Sequence, residues 1–262
     1  MRATRIIAFL ALTGGAFLAR AQDLSAPAAT QPSIQTVGER VPSEDPVIRD
    51  FHCLGLIDGR VDIFRCASPV RDLGTPTTSP SDGVLQADEA RSRIHRLYDL
   101  GVRTIVCLED PDRPDGDDAA SRAKTRQLKA RIALETSAAA DAGIRLIIHP
   151  MNNAGPHSLQ NMSDAQVKAW LDDVTEDILN RSRGGGVVFH CSAGHDRTGI
   201  VAAYLRIKYE HWPVDQAIDE MRRYGHNWVR FSNNGGVSSW QEDHLRAIAR
   251  MIEAQSASRL VN

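Results

Sequence analysis

Beyond its first twenty residues the chain has no run of about 18 consecutive apolar residues, the length a membrane helix needs. No stable membrane insertion is therefore expected. It also lacks a basic excess: 31 Lys and Arg face 33 Asp and Glu among 262 residues, so nucleic acid is not an expected partner. The histidines form no H-x-x-x-H pair and no Cys/His set at zinc spacing. The acidic stretch 109–118 lacks the full calcium-loop pattern and its closing glutamate, and reads as a solvated loop. No internal repeat is evident. Neither a metal nor a cofactor is expected from these patterns.

The N-terminus is distinctive. Met1-Arg2-Ala3-Thr4-Arg5 is basic, residues 6–18 are apolar, and Ala19-Arg20-Ala21 is an A-x-A cleavage site. The apolar stretch is too short to span a bilayer comfortably, so residues 1–21 read as a secretory signal. The competing reading is a retained anchor. Removal of Arg2, Arg5 and Arg20 moves the formal charge from −2 to −5. Residues 22–46, rich in Ala, Pro, Ser, Thr and Gln, read as a flexible leader. Residues 47–262 suit one domain with a sizeable core. The expected location is periplasmic or secreted.

The chemistry is concentrated in His190-Cys191-Ser192-Ala193-Gly194-His195-Asp196-Arg197-Thr198-Gly199. This string follows the apolar run 186–189 and precedes the amphipathic run 200–205, which reads as strand, loop and helix N-terminus. Such a loop aims backbone N–H groups and the positive end of a helix dipole at one point, where an anion binds. The same field favours the Cys191 thiolate, which makes it a nucleophile. Arg197 has the fork geometry to hold phosphate oxygens. Thr198 is placed to donate its hydroxyl to the sulfur. Hydrolysis of a phosphate monoester is the implied chemistry, and the loop itself supplies the positive field.

At these residues the chain resembles the protein tyrosine phosphatase superfamily, and within it the compact dual-specificity and bacterial tyrosine phosphatases. The likeness extends from roughly Asp62 to Gly225. It includes Ile63-Phe64-Arg65-Cys66-Ala67-Ser68-Pro69, Leu100-Gly101-Val102-Arg103-Thr104-Ile105-Val106-Cys107-Leu108, and Trp212-Pro213-Val214-Asp215-Gln216-Ala217-Ile218-Asp219-Glu220-Met221. The resemblance implies a cysteinyl-phosphate intermediate on Cys191. Phosphate would be cradled by Ser192, Ala193, Gly194, His195, Asp196 and Arg197, with His190 orienting the loop.

Alternating patterns predict strands at 53–57, 61–66, 104–108, 145–149 and 187–190. Helices are expected at 87–100, 121–142, 163–181, 197–210, 214–224 and 239–254. The fold class is α/β, a single domain with a central, mostly parallel sheet flanked by helices. Asp58-Gly59 reads as a hairpin turn that sets Cys53 opposite Phe64, with Cys66 one step diagonal. A Cys53–Cys66 disulfide is expected on that ground. A reversible Cys107–Cys191 bridge is a further alternative.

In the resembled family an aspartate, on the loop after the strand ending at His149, usually protonates the leaving group. Here that loop carries Asn152 and Asn153, which cannot act as carboxylic acids. Asp196, His157, and Asp110 or Asp112 are alternative donors, and so is the lack of any. A protein tyrosine or dual-specificity phosphatase is the leading reading, with a phosphorylated protein or small phosphate ester as partner. An inositol-phosphate or phosphoinositide phosphatase, a phosphate-binding module with little turnover, and a thiol-redox protein are the alternatives. The loop carries no lysine, which leans away from highly charged inositol rings.

Overall fold

In strand β5 (Gly186–Cys191), Val187, Phe189 and Cys191 face one core cluster and Val188 the opposite one. A strand buried on both faces belongs inside a parallel sheet, and β5 lies at the centre of the order β1-β2-β5-β3-β4. Its parallel neighbours are β2 (Ile63–Ala67) and β3 (Val102–Cys107), and β4 (Arg145–Ile148) runs parallel to β3. The edge strand β1 (His52–Cys53) pairs antiparallel with β2. This computed structural model describes residues 45–60, 62–74, 80–112, 117–151, 158–226, 230–231 and 237–261. The expected signal and nearly all of the leader lie outside them, as do Asn152, Asn153 and His157.

Helices α1 (Pro80–Asp99) and α2 (Ala119–Asp141) cover the Val188 face through Ile94, Leu97, Ala138 and Ala139. The Phe189 face is covered by α3 (Asp164–Arg181), α4 (Asp196–Tyr209), α5 (Val214–Arg223) and α6 (Trp240–Val261). Local signals set several of the boundaries. Asp118 caps α2 by accepting from Ser121 N at 2.8 Å, and Ser163 with Gln166 forms a capping box on α3. Gly101 and Gly143 follow their helices at φ +90° and +72°, the left-handed turn that glycine makes at least cost.

Two expected boundaries move. Helix α1 begins at Pro80 rather than at 87, because proline fits a helix's first turn and the polar stretch after it continues helical. The strand expected at 53–57 shortens to two residues, with Leu54 donating its N–H to Ile63 O beyond it. A short antiparallel pair, β6 (Arg230–Phe231) with β7 (Val237–Ser238), has too few residues to show alternation in sequence.

The expected disulfides do not form; none of the four cysteines is bridged. The hairpin register is as read, with Cys53 opposite Phe64 and Ile57 bridged to Arg60. Diagonal neighbours across such a ladder stand about 7–8 Å apart, whereas a disulfide needs Cβ atoms about 4 Å apart. Cys107 is in register with His190. Its side chain therefore leaves the sheet on the face opposite Cys191, since successive residues of a strand alternate.

Candidate active site

The loop 192–195 joins the carboxyl end of β5 to the first turn of α4, where open α/β sheets bind ligands. Gly194 makes the turn at φ +74°; a Cβ there would stand 2.6 Å from Cys66 O and 2.7 Å from Ala67 N. The loop is tied to β2 by Ser68 N, which donates to Cys191 O at 2.9 Å, and by Arg65, whose Nη2 donates to Gly194 O at 2.6 Å. Arg65 is itself 1% exposed and lies 4.8 Å from the Tyr224 ring centre. Burial lowers its proton affinity, while the loop carbonyl gives its charge a partner.

Cys191 is 3% exposed. Burial alone would raise its thiol, but the Arg197 charge and the hydroxyl and N–H of Thr198 outweigh it, and the thiol ionises below its ordinary range. Among the described residues the buried Thr198 hydroxyl makes no hydrogen bond, which leaves it to the sulfur. Arg197 Nη1 donates to Leu108 O and Met151 O, each at 3.3 Å, and Nη2 stands 3.7 Å from Glu109 Oε1. Its buried Nε has no partner among the described residues.

Glu109 corrects the reading of stretch 109–118 as solvated. It is 3% exposed, and Arg131 Nη2 reaches both of its oxygens, at 2.7 and 2.9 Å. Directly after β3 it is close enough to hold Arg131 and face Arg197, a role that needs α2 packed against the sheet. The described residues that follow are more open: Asp110 accepts from Asp112 N at 2.9 Å, and Asp112 is exposed.

Asp196 begins α4 and its Oδ1 lies 2.7 Å from His226 Nδ1. His226 is 4% exposed, and its other nitrogen meets Ser239 Oγ at 2.8 Å. His226 gave no sequence signal, since 30 residues separate it from its partner. Ser192, Ala193 and His195 are partly exposed around the loop. His195 also borders a cavity of about 610 Å³ lined with Asp50, His52, Cys53, Arg223, Tyr224 and Gly225.

His190 is fully buried behind the loop. Its Nε2 stands 2.8 Å from Glu135 Oε1 of α2, and its Nδ1 lies 3.3 Å from Cys191 O. Burial opposes charge on the ring, but Glu135 prevails and the imidazole gains a proton above its ordinary pH. Cys107 completes the one group of three metal-ligand side chains clustered among the described residues. Two donors on a tetrahedral zinc sit roughly 3.3 Å apart, wider than the His190–Glu135 contact. Burial also pushes the Cys107 thiol up, away from the thiolate that a metal needs. The group fits an ion pair better than a metal site.

A thiolate-stabilising loop at the end of a central parallel strand, with a buried arginine beside it, defines a cysteine-centred anion-binding α/β domain. Residues 82–207 match the model of the tyrosine phosphatase family. Over that span, just under half of the chain, the sequence is similar to the tyrosine phosphatase family. The dual specificity protein phosphatase TpbA from two strains of Pseudomonas aeruginosa is 35% and 34% identical to it over 68 residues, 26% of this chain and 31% of that protein. The match thus spans under a third of these relatives' length. Among solved structures, P. aeruginosa TpbA covers 83% of this chain and 99% of its own at 19% identity and TM-score 0.44. The core catalytic domain of the PP-IP phosphatase SIW14 from S. cerevisiae covers 80% and 94% at 16% identity and TM-score 0.45.

Proposed function

We propose that this chain is a metal-independent phosphate monoester hydrolase of the tyrosine or dual-specificity type. The observation that carries this reading is the Cys191 thiol held below its ordinary range by Arg197 and Thr198, at the mouth of an anion-binding loop. In the first step the sulfur attacks phosphorus; the S–P bond forms, the P–O ester bond breaks, and the leaving oxygen takes a proton. In the second, water attacks phosphorus, the S–P bond breaks, and phosphate leaves while the sulfur returns to thiolate. Arg197 and the loop N–H groups hold the equatorial oxygens through both steps. Thr198, donating to sulfur, makes it a better leaving group. Sequence supports export through 1–21, to a periplasmic or secreted location, where the substrate is a phosphorylated protein or a small phosphate ester.

The test is phosphate release from an aryl phosphate and a phosphotyrosine peptide, without metal and under reducing conditions. Release that vanishes in Cys191→Ser establishes the enzyme. Rates that fall steeply from aryl to alkyl esters would show that no general acid operates on the Asn152-Asn153 loop. No release from any ester would leave a phosphate-binding module. The N-terminus of the exported chain, read by mass spectrometry, tests cleavage after Ala21.

A further inference from the structure

A second cavity, of about 420 Å³, opens beside the catalytic loop between the segment before β1 and the segment after β2. Three arginines line it, Arg49, Arg71 and Arg93, together with Ser68. The charge of Arg93 is already committed: its guanidinium meets both oxygens of Asp72, donates to Glu89 at 2.8 Å, and reaches Pro69 O at 3.0 Å. Arg49 and Arg71 are not so held. Neither side chain makes a hydrogen bond or ion pair with the described residues, and Arg49 feels Asp72 only at longer range. Ser68 is 3% exposed, and its buried hydroxyl has no partner among the described residues. Two cations and a buried donor thus converge on space with only the Asp72 carboxylate opposite, and that carboxylate is taken by Arg93.

This cavity is built on the catalytic loop's own backbone. Ser68 N donates to Cys191 O at 2.9 Å and to Ser192 O at 3.2 Å, and Ala67 is in register with Cys191. Neighbouring strands lie about 4.8 Å apart, so the cavity stands one strand over from the nucleophile. We propose that Arg49, Arg71 and Ser68 form a second anion subsite, which takes another phosphate group of the same substrate. Phosphate offers three strong acceptor oxygens to match two guanidinium forks and one hydroxyl; a carboxylate offers two. The positive charge that the loop 192–195 lacks is supplied from β2 and its flanks. The substrate class is then a small ester carrying several phosphates, a choice that rests on the phosphatase reading of Cys191; the subsite itself does not.

The test uses the full chain as Cys191→Ser, which binds without turnover, with calorimetry against an aryl monophosphate, an acidic phosphotyrosine peptide and inositol hexakisphosphate at one fixed salt concentration. The subsite predicts that the hexakisphosphate binds tighter than the monophosphate. It also predicts that Arg49→Ala with Arg71→Ala cuts that preference by about tenfold or more. A preference that survives the double substitution, or equal losses for both ligands, overturns the subsite. A loss confined to an acidic phosphotyrosine peptide overturns the phosphate assignment and gives the arginines to peptide recognition. Absence of monophosphate turnover in the unsubstituted chain would sink the phosphatase reading alone, because the binding preference is measured separately.

Discussion

At Gly194 the backbone has no slack. A Cβ would meet Cys66 O and Ala67 N inside 3 Å, both main-chain atoms, at a φ of +74°. Gly194→Ala is therefore expected to cost about 2 kcal/mol or more in urea unfolding, and to weaken inorganic phosphate binding beyond what that loss explains. A variant with normal stability and normal phosphate affinity would show that the turn tolerates a side chain. Thr198 makes a sharper test of the nucleophile. Its hydroxyl lowers the Cys191 thiol, so in Thr198→Val the alkylation rate of Cys191 should rise with pH at a higher midpoint than in the parent. An unmoved midpoint would remove Thr198 from the thiolate's support. Both residues are visible in sequence because one contiguous string carries them. Glu109, Arg65, Glu135 and His226 are not: each acts across a packed interface, and Glu109 is camouflaged by the exposed acids that follow it.

Both helical layers reach the loop through buried polar contacts. Asp196 and His226 tie the start of α4 to the turn after α5, while Glu135 ties α2 to His190 on the sheet face that α2 covers. Both members of the second pair are at most 1% exposed. Removing one side of such a pair strands a charge, at a cost of about 3–5 kcal/mol. Glu135→Gln should lose stability on that scale, and the sign of its pH dependence follows from His190. The imidazole binds its proton more tightly folded than unfolded, so the pair's stabilisation is full below the unfolded value. It fades as pH rises through the higher folded one. The gap between parent and variant, measured by chemical denaturation, should thus narrow with rising pH; a constant gap would mean that Glu135 acts by shape alone. Helices and strands were largely legible because periodicity and caps are local. Helix α3 and strand β5 lie where the periodicity placed them. Helix α1 starts earlier than expected because its first turn is polar, and the β6–β7 pair carries no sequence signal because strands of two residues leave no period to read.

Over the whole molecule, the proposed export of a chain with four cysteines would invite a disulfide framework, yet the sheet holds its thiols apart. Cys66 and Cys107 flank His190 on neighbouring strands, all three in one row on the α2 side, and burial pushes both thiols up. Protonated thiols in a dry core exchange slowly. Cys191 leaves the sheet on the other face and keeps its thiolate for the loop. All four thiols should therefore titrate after denaturation under non-reducing conditions, with Cys66 and Cys107 protected in the folded state. Melting should also be indifferent to reductant. A bridge between Cys53 and Cys66 would close a loop of about 14 residues, worth about 3 kcal/mol in chain entropy, or roughly 6–12 °C for a domain of this size. A fall of that order on adding reductant would mean that the hairpin rearranges to bring the diagonal pair together. An unchanged melting temperature is expected, because fold stability here rests on two cores packed against one sheet.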